Sequence, residues 1–387
     1  MTEGSHKSVV CSVSGTNISF FRERAAILSF MFRFYTNFAR YQLLYKMKLT
    51  TIGLFSAAAL SMMTAELSAQ EWKWTPEVIE ERLRECGIAE SLPAPEMDVE
   101  CSIFIRKEGR VRPQQGMEIY GDWIFSCEDG GHVNLYSFSR ADGKVVGGFD
   151  LASSRPDNHV NNVEFGPRKA RGSKFPLLYI SNGKVGSEIE WQCAVERISE
   201  KHGEWSSELV QTITLDISQW ESNGYTKIFG APSWLVDKKR NHLWVFSAVK
   251  RTVSKVTADP AENRYVATKF RIPSLKEGKE VVLGAADILD QVIFPYDVWF
   301  TQAGCMYDGK IYYGYGIGDY DPSRPSCIRV YNTDNGQIEA RYELKDSIIF
   351  EIEDIVLKDG WLWVNCNNNP KRTSELPYIY KVSLPRQ

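Results

Sequence analysis

Short runs of β-favouring residues, separated by turn residues, cover the chain from about residue 101 to its end. β-branched and aromatic residues dominate the runs, and Asp-Gly and Asn-Gly dipeptides divide them at 142–143 and 335–336. Runs of this kind predict strands joined by hairpins. Apolar positions at helical spacing precede them at 71–86, with Pro76 near the start. The pattern predicts an all-β domain at 101–387 after a helical lead-in at 70–100.

The predicted strands group into five similar units, which begin near residues 115, 159, 231, 302 and 351. The first four units have four runs each, and the fifth has three. A four-stranded sheet buries both faces when such sheets stack radially, so we predict a β-propeller with five four-stranded blades. Residues 102–106 are predicted to supply the missing strand and close the ring, because open edges would otherwise remain. A sixth blade in the long intervals after residues 159 and 233, or a pair of β-sandwiches, are the alternatives.

Three segments give this domain a resemblance to secreted bacterial β-propellers of the six-bladed, Tol-type or NHL-like kind. They are PQQGM at 113–117, HVNNVEFG at 159–166 followed by FPLLYIS at 175–181, and EIEDIVLKDGWLWV at 351–364. The resemblance covers residues 100–385 and implies a propeller, in a group where many members have no known activity. The five units counted here depart from its six-bladed pattern.

The first 69 residues are predicted to precede the folded domain. Residues 47–69 combine a start Met, Lys48, 17 uncharged residues and a small-residue ending at Leu67-Ser68-Ala69. That is the layout of a secretory signal peptide. A signal peptide should begin a chain, so we interpret 1–46 as an over-extended reading frame, with a basic membrane-surface helix at 20–45 as the alternative. We therefore expect a periplasmic or extracellular protein whose mature chain has no membrane span.

Charge and cysteine usage narrow the classes of partner and site. The formal net charge of the 387 residues is −3, which gives no reason to expect a nucleic acid as partner. Seven of the eight cysteines follow residue 69 and none forms a CxxC pair, which argues against zinc knuckles and thioredoxin-like sites. Cys86 and Cys101 are the predicted disulfide, and most other cysteines are predicted to be buried free thiols.

Polar residues stand where the innermost strand of each predicted blade begins, and in a propeller these positions converge on the axis. A ring of amides, one imidazole and carboxylates suits a polyhydroxylated ligand, whose hydroxyl groups both donate and accept hydrogen bonds. Trp234, Tyr296 and Trp299 are predicted to offer apolar faces to sugar rings. We predict binding of a carbohydrate or an envelope protein at the channel mouth, against the alternative that these residues only hold water and one another. The predicted ligand-binding residues are Gln115, Asn161, Asn162, Trp234, Gln302, Glu351 and Asp354.

His159 differs from the other histidines after residue 69 because it opens a predicted innermost strand. Paired with Glu353 or Glu351 as acid and base, it makes a glycan-processing hydrolase or lyase the alternative function. No cofactor is predicted, since a single histidine is a weak metal signal. Calcium bound by Glu353, Asp354 and Asn161 is the alternative. No GxSxG motif occurs, which excludes an α/β-hydrolase elbow.

Overall fold

The computed structural model describes residues 94–108, 113–249, 264–295, 301–320, 325–367 and 377–385, together with Glu81 and Arg84, whose backbone is helical. All of them belong to the second of two compact units, Trp72–Gln387. The predicted reading-frame extension at 1–46, the signal peptide at 47–69 and most of the helix at 71–86 lie outside the described residues, so they stay predictions. Among the described residues, no helix is long and apolar enough to span a bilayer.

The strands of the described residues form five sheets, one for each predicted unit. Strand β1 (Cys101–Arg106) comes first in the chain and joins the last sheet. Blade 1 contains β2 (Gln114–Tyr120), β3 (Trp123–Glu128), β4 (His132–Ser137) and β5 (Gly147–Asp150). Blade 2 contains β6 (Asn162–Lys169), β7 (Pro176–Ser181), β8 (Gln192–Lys201) and β9 (Glu204–Leu215). Blade 3 contains β10 (Phe229–Asp237), β11 (His242–Ala248), β12 (Tyr265–Arg271) and β14 (Ile288–Ile293). Strand β13 (Glu280–Leu283) lies between the last two in the sequence but is not part of this blade.

Blade 4 contains β15 (Thr301–Tyr307), β16 (Lys310–Tyr315), β17 (Cys327–Asn332) and β18 (Gln337–Glu343). Blade 5 contains β19 (Ile352–Lys358), β20 (Trp361–Cys366) and β21 (Tyr378–Ser383), and β1 is its outer strand. Short 3-10 helices lie at Glu221–Asn223, Leu275–Glu277, Ala285–Asp287 and Gly318–Tyr320. Strand β13 pairs in parallel with β9, so blade 2 has a fifth strand that the sequence pattern did not predict.

The innermost strands make a closed ring. Strands β2, β6, β10, β15 and β19 contact one another in that order, and β19 contacts β2 again. Strand β1 pairs antiparallel with β21, with Cys101 opposite Val382 and Arg106 opposite Tyr378. The predicted five-bladed propeller and its closing strand are therefore confirmed, the β-sandwich alternative is wrong, and the blade number departs from the six-bladed pattern of the resemblance.

Each pair of neighbouring blades encloses one hydrophobic cluster. Phe125 of blade 1 and Leu178 of blade 2 share one cluster, and the rings of Phe246 in blade 3 and Tyr313 in blade 4 lie 4.7 Å apart in another. A blade buries apolar side chains on both of its faces in this way. That is why the central strands carry nearly continuous apolar runs rather than an alternating pattern.

The described cysteines are free thiols, five of them buried as predicted. Cys101 is also free, which contradicts the predicted disulfide with Cys86, and Cys86 itself lies outside the described residues. Cys101 begins the closing strand and packs against the cluster between blades 4 and 5. This burial raises the pKa of the Cys101 thiol to about 11. The thiol therefore stays protonated and unreactive at neutral pH.

Candidate functional site at the top of the ring

Buried carboxyl groups on the ring axis connect the innermost strands of different blades. The Oδ2 atom of Asp354 in blade 5 accepts hydrogen bonds from the backbone N–H of Met117 at 2.8 Å and of Val163 at 3.4 Å. The amide of Asn162 donates to Asp354 Oδ1 at 3.2 Å and to the carbonyl of Gly304 at 2.6 Å. Asp354 and Asn162 together join blades 1, 2, 4 and 5.

Glu164 and Glu118 have the same role further along the axis. Glu164 accepts hydrogen bonds from the backbone N–H of Val236 at 2.8 Å and of Met306 at 3.1 Å. Glu118 accepts one from the backbone N–H of Phe165 at 2.8 Å. Innermost strands of neighbouring blades do not pair with each other in these sheets, so the carboxyl groups satisfy backbone donors that would otherwise be unpaired in the interior.

We call Glu118, Glu164 and Asp354 the axis carboxyls, and burial has a direct electrostatic effect on two of them. Burial raises the pKa of Asp354 and of Glu164 well above the ordinary range of a carboxyl group. Asn162 and Asp354 were predicted to bind a ligand, but both are fully buried and hydrogen-bonded to each other. The structure therefore places them in the interior of the ring and not on an open surface.

Two other predicted ligand-binding residues are also enclosed. Trp234 is fully buried in the cluster between blades 2 and 3, so it offers no exposed face to a sugar ring. Gln115 is buried, and its backbone carbonyl accepts a hydrogen bond from the side-chain amide of Asn365 at 2.6 Å. Tyr296 and Trp299 lie outside the described residues.

Partly exposed polar side chains lie at the face where the innermost strands begin, which we call the top face. The Nδ1 atom of His159 lies 2.9 Å from Oδ1 of Asp129, and their side chains are 33% and 38% exposed. Asp129 was not predicted, because the Asp-Gly-Gly sequence at 129–131 indicated a hairpin turn. The position of that turn could have identified Asp129, because the turn lies at the face where the innermost strands begin. We call this set of residues the top rim, and it comprises Asp129, His159, Asn161, Gln302, Glu351 and Asn367.

Glycine geometry in the β3–β4 turn places Asp129 beside His159. Gly130 and Gly131 have positive φ angles of 93° and 98°. A Cβ atom on Gly131 would lie 2.9 Å from the Cα atom of Ser154, so only glycine fits this contact. The backbone N–H of Gly130 donates to the carbonyl of Asn158 at 2.8 Å. These contacts dock the turn against the loop that leads to His159.

The backbone at Val160 has a conformation that β-branched residues rarely adopt. Its φ angle is 49°, in the left-handed region, and the residue is fully buried between the partly exposed His159 and Asn161. The side chain of Asn158 accepts a hydrogen bond from the Val160 N–H at 3.0 Å, and the Val160 carbonyl accepts one from Gly116 at 2.9 Å. The surrounding structure thus holds a bend that places two rim residues at the top face.

Gln302 and Glu351 form the other half of the rim. Gln302 donates a hydrogen bond through Nε2 to Glu351, and Glu353, two residues further along the chain, is buried. Burial and the charge of Glu351 raise the pKa of Glu353 more than a hydrogen bond with Asn367 lowers it. The protonated form of Glu353 is therefore favoured in the folded protein.

The pKa values of Glu351 and Glu353 are both raised. Burial raises the pKa of Glu351. Burial, with the charges of Glu351, Asp354 and Asp129, raises the pKa of Glu353 well above its ordinary range.

The structure brings Gln302, Glu351 and Glu353 together, while His159 pairs with Asp129. Among the described residues, no hydrogen bond joins His159 to Glu353 or to Glu351. Asn161 is partly exposed and donates to the carbonyl of Gly183 at 3.2 Å. The described residues also contain no group of three or more His, Cys, Asp or Glu side chains placed to hold a metal ion, and bound calcium stays a prediction.

Comparisons with known proteins report the fold alone. No protein-family model matches the chain, and no curated protein matches it. A glutaminyl cyclase from Myxococcus xanthus is similar with a TM-score of 0.41 and 10% identity, over 75% of this chain and 99% of that chain. A tail fibre of Staphylococcus aureus phage P68 is similar with a TM-score of 0.43 and 12% identity, over 73% of this chain and 52% of that chain. The Cps50 (Swd1) β-propeller domain of Myceliophteria thermophila gives a TM-score of 0.33 and 10% identity.

Proposed function

We propose that the protein is an exported propeller that binds a polyhydroxylated ligand, of the glycan class, at the top rim. The observation that carries the proposal is the pairing of partly exposed donors and acceptors there, His159 with Asp129 and Gln302 with Glu351. Export is inferred from the signal-peptide pattern at 47–69 and from the resemblance to secreted bacterial propellers.

The chemistry of the rim suits hydroxyl groups. A sugar hydroxyl donates one hydrogen bond and accepts others, so it needs both kinds of partner at close range. The amides of Asn161, Gln302 and Asn367 supply donors, and the carboxyl groups of Asp129 and Glu351 supply acceptors. Because Asp354 and Asn162 fill the axis below, the ligand is expected to lie on the top face and not to enter the ring. An envelope protein that presents hydroxyl and amide groups is the alternative partner.

A second candidate function, glycan processing by hydrolysis or elimination, rests on the His159–Asp129 pair. A carboxylate within 2.9 Å of Nδ1 fixes the tautomer and orientation of an imidazole, as a general base requires. Glu351 or Glu353, whose pKa values are both raised, would then supply the acid. The assignment of His159 with Glu353 or Glu351 as catalytic groups stays a prediction.

A thermal-shift screen of the full chain against neutral, acidic and amino oligosaccharides tests the proposal. A ligand at a free concentration of 100 times its dissociation constant stabilises the folded protein by about 2.7 kcal/mol, so a true ligand gives a clear rise in Tm. His159→Gln and Glu351→Gln should each reduce the rise, whereas His202→Gln, in the exposed β8–β9 turn, should keep it. No rise with any oligosaccharide, or a rise that neither rim variant reduces, would contradict the proposal. New reducing ends after incubation would identify the catalytic alternative.

A further inference from the structure

A fully buried lysine lies at the seam where the ring closes. Lys107 follows the closing strand β1, and its Nζ atom donates to Gln114 Oε1 at 2.8 Å, to Ser126 Oγ at 3.0 Å and to Asn365 Oδ1 at 2.6 Å. The Ser126 hydroxyl donates to Gln114 Oε1 at 2.7 Å, which leaves its oxygen able to accept from the lysine. Three acceptors match the three N–H donors of an ammonium group.

These acceptors come from both sides of the seam. Gln114 and Ser126 belong to β2 and β3 of blade 1, and Asn365 belongs to β20 of blade 5. The backbone N–H of Lys107 also donates to the carbonyl of Pro377, just before β21, at 3.2 Å. One side chain therefore connects the first blade, the last blade and the strand that closes the ring.

Among the described residues, this ammonium donates no hydrogen bond to a charged group. Its three hydrogen-bond acceptors are neutral. The ionisable groups that face it are Cys127 and Glu128 of β3, Glu353 of β19 and Cys366 of β20. Burial raises the pKa of both thiols and of Glu353, so these three groups carry little negative charge at neutral pH, which leaves Glu128 as the carboxylate that faces the ammonium. Burial lowers the pKa of Lys107 to about 7, well below the value of a lysine in water.

We propose that Lys107 makes closure of the ring acid-sensitive, so that the seam between blades 1 and 5 opens more readily when the Lys107 amine is charged than when it is neutral. Opening returns the amine to water, where it holds its proton up to a pH of about 10.4. Between neutral pH and that value, opening takes up a proton, so rising pH disfavours the open seam. At lower pH the amine is charged in both states, and this contribution becomes constant.

Hydrogen exchange of the full chain, followed by mass spectrometry between pH 6 and 9, tests the proposal. After correction for intrinsic exchange, the open fraction of β1 and β21 should fall by up to about tenfold for each pH unit above 7, as uptake of one proton on opening requires. Strand β11 of blade 3 should show no such fall. Lys107→Met should abolish the dependence at β1, and Lys144→Met, at an exposed lysine, should keep it.

A pH-independent open fraction of β1 in the wild-type protein would overturn the proposal, as would the same slope in Lys107→Met. If Lys107→Met does not fold, nitrogen NMR of the lysine side chains in the wild-type protein decides the question. One lysine with a titration midpoint near 7 supports the proposal, and midpoints near 10 for all lysines overturn it.

Discussion

The axis carboxyls and the top rim both place polar side chains at the centre of the ring, but they differ in burial and in partners. Asp354 and Glu164 are enclosed and accept hydrogen bonds from the backbone of neighbouring blades. Asp129 and Glu351 are partly exposed and bond to the side chains of His159 and Gln302. A carboxyl group whose oxygens are used by backbone donors holds the ring together. A partly exposed carboxyl group that is paired with another partly exposed side chain can exchange that partner for a ligand.

The largest expected effect is on stability, at the axis. Asp354→Ala removes the acceptor of the Met117 and Val163 N–H groups and leaves them unsatisfied in the interior. We expect the free energy of unfolding to fall by roughly 3 kcal/mol, measured by urea denaturation. The matched variant Asp129→Ala, at the rim, should change it by less than about 1 kcal/mol, because a hydrogen bond between partly exposed side chains contributes little. Equal losses in the two variants would remove the distinction between axis and rim.

A pH-dependent contribution to the free energy of unfolding is expected at Glu353, where the two regions meet. Its folded-state pKa is raised by burial, so its contribution to stability is present at acidic pH and is lost as pH rises above the unfolded pKa of about 4.3. Glu353→Gln should therefore gain stability relative to the wild-type protein between pH 4.5 and 7.5, by at most about 1.4 kcal/mol per pH unit. Urea midpoints at the two pH values measure this difference. The exposed variant Glu280→Gln should show no such gain, and a pH-independent difference for Glu353→Gln would contradict the raised pKa.

The smallest expected effect on stability is at the His159–Asp129 pair. His159→Gln keeps a polar side chain at a site that is one-third exposed, so the unfolding free energy should change by less than about 1 kcal/mol. Thermal unfolding at neutral pH checks this, with His202→Gln as the surface control. A loss as large as that of Asp354→Ala would show that His159 supports the ring and is not free to bind.

Local sequence patterns account for most of the fold. Runs of β-favouring residues divided by turn dipeptides predicted the five blades, and the missing fifth-unit strand predicted the closing role of β1. Strand β13 escaped prediction because its parallel partner, β9, is distant in sequence and no turn signal links them. The position of Trp234 was misjudged for a different reason. Both faces of an innermost strand pack against neighbouring blades, so a large apolar residue there is buried whichever way it points.

The candidate site was harder to predict than the fold. The sequence pattern pointed to His159, Gln302 and Glu351 at the top face, because it located the starts of the innermost strands. It did not separate them from the enclosed Asp354, since burial depends on how five blades meet. The pairing of His159 with Asp129 depends on a glycine turn docked against a loop from the next blade, and no local pattern encodes that contact.

Titration calorimetry with an oligosaccharide identified by the thermal-shift screen tests the central claim most directly. The wild-type protein and the exposed variant Glu280→Gln should bind with the same affinity, and Glu351→Gln should bind at least about tenfold more weakly, a loss of about 1.4 kcal/mol. Unchanged affinity in Glu351→Gln would place the binding surface somewhere other than the top rim and contradict the proposed function.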